Sequence, residues 1–170
     1  MRTLSLILLL FLAAAFPQNA FALGETATDF TLKDVRGVDF RLGDHLGKNV
    51  IIMTFWATWC VPCLVEMPQL EKLYQKHKDK GLLVVGINAD DPSGVAKAKA
   101  IARRKGVTYP VLFDSATKVT GIYNSNKQLP CTVIIGKDKK IAYVKTSFSA
   151  GDEKILEKKV LDLLGADEKK

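Results

Sequence analysis

Cys60 and Cys63, separated by two residues, are the side chains in this sequence best placed to do chemistry. They sit in Phe55-Trp56-Ala57-Thr58-Trp59-Cys60-Val61-Pro62-Cys63-Leu64-Val65-Glu66-Met67-Pro68, between an apolar run and a helical pattern. Disulfide exchange needs an attacking thiolate, a second thiol to resolve the mixed disulfide, and a path for substrate. Two intervening residues on a first helical turn bring both sulfurs into bonding range. At the helix N-terminus, free N–H groups and the dipole stabilise a negative sulfur. A free thiol with a pKa of about 8.5 is about 3% ionised at pH 7, whereas one lowered to about 7 is half ionised. Cys60 therefore reads as the nucleophile and Cys63, one turn inward, as the resolving thiol.

Other uses of these cysteines fit less well. A zinc site needs four ligands with thiol and imidazole spacing; the chain offers one further cysteine, Cys131, and two distant histidines, His45 and His77. Covalent haem attachment needs His after the second cysteine, and Leu64 stands there. No metal or other cofactor is expected. Cys131 reads in two ways. It is either a small buried hydrophobe or a third thiol within reach of the dithiol. In the second case the alternative to an enzyme is a metal-binding or chaperone module using Cys60, Cys63 and Cys131.

The elements that must position the dithiol follow from the apolar pattern. Residues 30–32 and 38–41 form two short strand-like pieces around a turn at 34–37, a hairpin. Residues 49–56 and 82–88 are continuous apolar runs, strands buried on both faces of a sheet covered by helices. A helix is expected over 61–80, with Leu64, Met67, Leu70, Leu73 and Tyr74 on one face, a kink at Pro68 and a stop at Gly81. Ser93 is expected to cap a second helix ending near Lys105. A short strand at 109–113, a brief helix at 118–123, a hairpin of 131–135 with 141–144 and a helix over 152–164 complete the chain. The result is an α/β fold with a central mixed β-sheet flanked by helices.

The chain has 170 residues, 48% of them hydrophobic and 25% charged, which suits one domain with a real core. Met1-Arg2, the apolar run Leu4 to Phe16 and Ala20-Phe21-Ala22 together describe a secretory signal peptide over 1–22. An uncleaved anchor is the lesser reading, because the run is shorter than the roughly 20 residues that span a bilayer. The expected organisation is then a single domain over 23–165 and a flexible tail over 166–170. The net charge of +7 is spread over helix faces and the tail. With no aromatic-interleaved basic patch it reads as solvated surface, not as a nucleic-acid site.

Phe55-Trp56-Ala57-x-Trp59-Cys60-x-Pro62-Cys63, with Pro68 in the helix and Leu129-Pro130 before a later strand, resembles the thioredoxin superfamily. Within it, the extracytoplasmic thiol–disulfide oxidoreductases like TlpA and ResA are most similar. Tyr109-Pro110-Val111-Leu112-x-Asp114 also resembles that branch. The resemblance implies a thioredoxin-like fold with an N-terminal β-hairpin and an inserted strand–helix unit. It implies Pro130 as a cis-proline facing the dithiol and Trp59 as part of the catalytic motif. It further implies disulfide-bearing exported proteins as substrates, with apocytochrome c among them in such relatives. A membrane thiol carrier would be the electron donor, the location periplasmic or otherwise extracytoplasmic, and the protein a monomer and a reductase.

Two departures from the pattern matter. Cytoplasmic thioredoxins carry a buried Asp six residues before the first cysteine, where this chain has Thr54. In Ile87-Asn88-Ala89-Asp90-Asp91, Asp91 best matches an acid that the branch places near the dithiol, with Asp90 next; both can equally be helix N-terminal acids. Cys131 follows the proline where relatives usually have Thr. A peroxidase of the peroxiredoxin type shares the fold, but its Pro-x-x-x-Thr-x-x-Cys pattern meets Met53 and Ala57 here.

Overall fold

The computed structural model describes residues 23–165. The expected signal peptide and tail lie outside the described residues. The elements are β1 (Thr31–Asp34), β2 (Asp39–Arg41), β3 (Val50–Trp56), α1 (Val61–His77), β4 (Leu82–Asn88), α2 (Val95–Arg104), β5 (Val111–Phe113), α3 (Lys118–Tyr123), β6 (Cys131–Ile135), β7 (Ile141–Thr146) and α4 (Asp152–Gly165). They build one seven-stranded sheet in the order β2-β1-β5-β4-β3-β6-β7.

β3 and β4 are central and parallel, and every residue in both is buried. This is why neither shows alternation in sequence: both faces are covered. β6 pairs antiparallel with β3 and β7 with β6, so the sheet is mixed. The hairpin β1–β2 joins the other side through β5.

Two hydrophobic layers cover the sheet. One packs α1, α2 and α4 against Val50, Ile52, Trp56 and Val84; the other packs α3 and the N-terminal segment against Ile51, Met53, Phe55 and Val85. α1 runs unbroken through Pro68, so the proline leaves the helix as one element. A 3₁₀ turn (78–80) follows, and Gly81 at φ 96° ends it in the left-handed region that favours glycine. Ser93 does not cap α2. Asp91 instead caps a 3₁₀ turn (92–94) that leads into α2. His77, flanked by lysines in sequence, is buried against α4, where its Nε2 meets Glu157 Oε1 at 2.9 Å.

The first described residues add to the sheet edge. Gly24 N–H donates to Ile141 O, Ala27 N–H to Lys139 O and Ile141 N–H to Glu25 O. This contact lies at the β6–β7 turn, where Ile135 pairs with Ile51 near the start of β3. Among the described residues no helix is long and apolar enough to cross a membrane.

Candidate active site

β3 ends at Trp56 and α1 begins at Val61, and the four residues between them carry Cys60 to the helix N-terminus. Cys60 and Cys63 are joined in a disulfide. Cys60 is the N-cap of α1, and Cys63 N–H donates to Cys60 Sγ at 3.3 Å. Pro62, in the first turn, gives up an N–H that no helical carbonyl could accept. Cys63 is fully buried and Cys60 is 4% exposed. Their surroundings are not: Trp59 is 69% exposed and Val61 70%, with Pro62 exposed beside them. An exposed apolar collar thus borders the disulfide at the surface.

The Leu129–Pro130 bond is cis, immediately before β6. Leu129 packs against both layers, including the one that holds Cys60 and Cys63. Pro130 O accepts from Ser147 N–H, which ties this approach to the end of β7.

The acids are arranged otherwise than the sequence resemblance implies. Asp91 is exposed, and its carboxylate accepts from Ser93 N–H, Ser93 Oγ–H and Gly94 N–H. Those bonds hold its carboxyl below the ordinary range. It is the cap of the turn that leads into α2. Asp90 is buried and accepts from Thr58 N–H at 2.9 Å, Thr58 Oγ1–H at 3.3 Å and Asn88 Nδ2–H at 2.8 Å. It fixes the loop two residues before Cys60 to the end of β4.

The acid beneath the dithiol is Glu66, one turn after Cys63 on the buried face of α1. Thr54 Oγ1 donates to its Oε2 at 2.7 Å and Thr132 Oγ1 to its Oε1 at 2.6 Å. The two threonines are direct cross-strand partners in β3 and β6. Burial pushes the Glu66 carboxyl above its ordinary range; the two hydroxyls oppose the shift, and the charge of Asp152 adds to it. Thr54 is the position at which cytoplasmic thioredoxins carry an acid, so here the carboxyl comes to that place from the helix. The sequence signal was available: Glu66 interrupts the face that carries Cys63, Met67 and Leu70.

Cys131 faces away from this cluster. Side chains alternate along a strand. Cys131 pairs with Phe55 and packs with Met53 and Val133 in the opposite layer, while its neighbour Thr132 points to Glu66. Burial, with the Glu66 charge adding to it, pushes its thiol up to about 12. The three cysteines therefore do not share one site. Among the described residues no three His, Cys, Asp or Glu side chains cluster to hold a metal.

A buried disulfide at a helix N-terminus, on a mixed sheet of this order, defines a thiol–disulfide oxidoreductase of the thioredoxin-like fold. The comparisons agree. The chain belongs to the AhpC/TSA family, whose model matches residues 23–144. It is 36% identical over 153 residues to the thiol-disulfide oxidoreductase ResA of Geobacillus thermodenitrificans (strain NG80-2), covering 86% of each chain. It is also 36% identical over 129 residues to ResA of Geobacillus kaustophilus (strain HTA426), covering 76% of this chain and 72% of that one. The crystal structure of a candidate thiol:disulfide interchange protein DsbE from Chlorobium tepidum superposes with a TM-score of 0.79 at 29% identity, covering 86% of this chain and all of that one.

Proposed function

We propose that the protein is a reductase that opens disulfides in exported proteins outside the cytosol, with apocytochrome c cysteine pairs among its substrates. The observation that carries the reading is the pairing of an accessible disulfide rim with a buried proton acceptor. Cys60 lies at the collar of Trp59, Val61 and Pro62, and Glu66 lies behind Cys63.

In the reduced protein the Cys60 thiolate attacks one sulfur of the substrate disulfide. A Cys60–substrate disulfide forms and the first substrate sulfur leaves as a thiolate. Cys63 then gives its proton to the Glu66 carboxylate, and its thiolate attacks Cys60 Sγ. The Cys60–Cys63 bond forms, and the second substrate sulfur leaves and is protonated from solvent. Two electrons pass from the protein to the substrate, and a membrane dithiol carrier returns them. Burial raises the Glu66 carboxyl above its ordinary range and so makes its carboxylate a stronger base, which suits this step, since an ordinary carboxylate would be a poor base toward a thiol. Pro130, lacking an N–H, leaves the edge at Leu129 open for a substrate backbone. The leader-like residues 1–22 support an extracytoplasmic site of action.

Equilibration of the Cys60–Cys63 pair against glutathione tests the direction. Thioredoxin and the oxidant DsbA differ by about 150 mV, and the value here is expected nearer thioredoxin's. A value near DsbA's overturns the reductase reading. Cys63→Ser is expected to trap a mixed disulfide with substrate through Cys60; trapping through Cys131 instead would refute the assignment.

A further inference from the structure

Two buried donors in the layer beneath α1 have no hydrogen-bond partner among the described residues: Trp56 Nε1 and the Tyr109 hydroxyl. Each idle buried donor costs on the order of 1–3 kcal/mol, so both need a reason. They meet over one residue. A Cβ built on Gly86 would lie 3.1 Å from Tyr109 Cε2 and 3.4 Å from Trp56 Nε1. Gly86 is the register partner of Thr54 in the parallel β3–β4 pair. Thr54 is the residue whose hydroxyl holds Glu66 Oε2. The glycine therefore admits a phenol and an indole to the edge of the Glu66 cluster.

Apart from the Cys63 thiol, whose proton the reaction itself moves, the remaining described groups around Glu66 do not offer it a neutral donor in reserve. Cys63 lies one turn before it on α1, Cys131 faces the other layer from β6, and Asp152 at the start of α4 is paired with Lys145 of β7 at 3.0 Å. The charges that act on Tyr109 are Glu66 and Glu71. Glu71 is already engaged by Thr108 N–H, Thr108 Oγ1 and Gln75 Nε2. Glu66, by contrast, has two hydroxyls on two oxygens, and an ionised carboxylate can accept about four hydrogen bonds.

We propose that Tyr109 is a positioning residue for Glu66, its hydroxyl a donor held for the carboxylate that exists when Glu66 is ionised, with Trp56 Nε1–H as a second. This rests on the reading of Glu66 as proton acceptor. While Glu66 is protonated the two threonines suffice and the phenol stays idle. When Glu66 ionises, a third donor favours the charged form. Tyr109 thereby sets the pH at which Cys63 can lose its proton, without touching sulfur or substrate.

The test compares wild type, Tyr109→Phe, Glu66→Gln and the double variant, all full-length. Carboxyl ¹³C shifts of the reduced protein read the Glu66 midpoint, and insulin-disulfide reduction gives the pH profile. Tyr109→Phe is expected to raise the midpoint by about one pH unit, as loss of one bond to a charged group predicts. The pH profile should move with it. In the Glu66→Gln background Tyr109→Phe should leave the profile unmoved. Melting of the oxidised form at pH 4, below the ordinary carboxyl range, should equal or exceed that of wild type, since phenylalanine removes a hydroxyl that is idle there. An unmoved midpoint, an equal profile shift in the Glu66→Gln background, or a lowered melting point at pH 4 overturns the proposal. If Glu66→Gln itself leaves the profile of the wild type intact, the proton-acceptor reading falls and the proposal with it. If it changes the profile while Tyr109→Phe moves nothing, only the proposal falls.

Discussion

Thr54 and Phe55 are neighbours in β3, and their cross-strand partners in β6 are Thr132 and Cys131. The two pairs face opposite layers and do opposite things. Thr54 and Thr132 hold a buried carboxyl under the dithiol. Phe55 and Cys131 pack into an apolar cluster with Met53, Ile87 and Val133. One strand pair thus carries a reactive face and an inert one, separated only by the two-residue period of the strand. A thiol next to the cis-proline is close to the active site in sequence, and the period places it behind the sheet.

This contrast can be broken or sharpened by substitution. The largest effect is expected on the reactive face. Glu66→Gln should slow resolution of the Cys60 mixed disulfide by ~10²-fold or more at neutral pH, read by stopped-flow fluorescence; an unchanged rate would remove Glu66 from the chemistry. Next, Gly86→Ala should destabilise the protein by about 1–3 kcal/mol through overpacking, because its Cβ meets Tyr109 at 3.1 Å. Urea unfolding checks this, and a variant as stable as wild type would show that the phenol gives way freely.

A smaller effect is one of stability against pH. The Glu66 carboxyl sits above its ordinary range through burial, so the folded state binds a proton that the unfolded state has already released. Stability therefore falls as pH rises from the unfolded carboxyl range through the folded one. Oxidised Glu66→Gln should melt higher than wild type at pH 8, with the gap closing toward pH 4. A gap that is constant with pH would contradict the sign. The smallest effect belongs to the inert face. Cys131→Ala should leave the dithiol potential unmoved, and in native reduced protein iodoacetamide should label Cys60 but not Cys131, as mass spectrometry of the peptides will show. Labelling of Cys131 would place it outside the apolar layer.

Much of the scaffold was legible in the sequence because burial on both faces leaves a continuous apolar run, and β3 and β4 carry such runs. The Cys-x-x-Cys at a strand–helix junction was equally plain. Glu66 was less so: it interrupts the apolar face of α1, but only the hydroxyls of Thr54 and Thr132, from two strands, separate a buried acid there from a surface one. Asp90 and Asp91 are adjacent acids, and only the 3₁₀ turn after them decides that the first points inward and the second caps. His77 was hidden by its flanking lysines, since its burial depends on α4, 80 residues away. Each of these turns on a contact between segments distant in the chain, which local patterning does not carry.

The seam between residues 24–27 and the β6–β7 turn fixes a direction in space. It lies at the end of the sheet where β3 begins, whereas Cys60 follows the end where β3 finishes. The seven residues of β3 span about 20 Å. Whatever precedes Leu23 thus joins the domain at the pole opposite the disulfide. A tether there would turn the reactive end outward, toward soluble clients and away from the surface that holds it. A membrane-embedded electron donor would then have to reach around the domain, or the domain would have to come free to meet it.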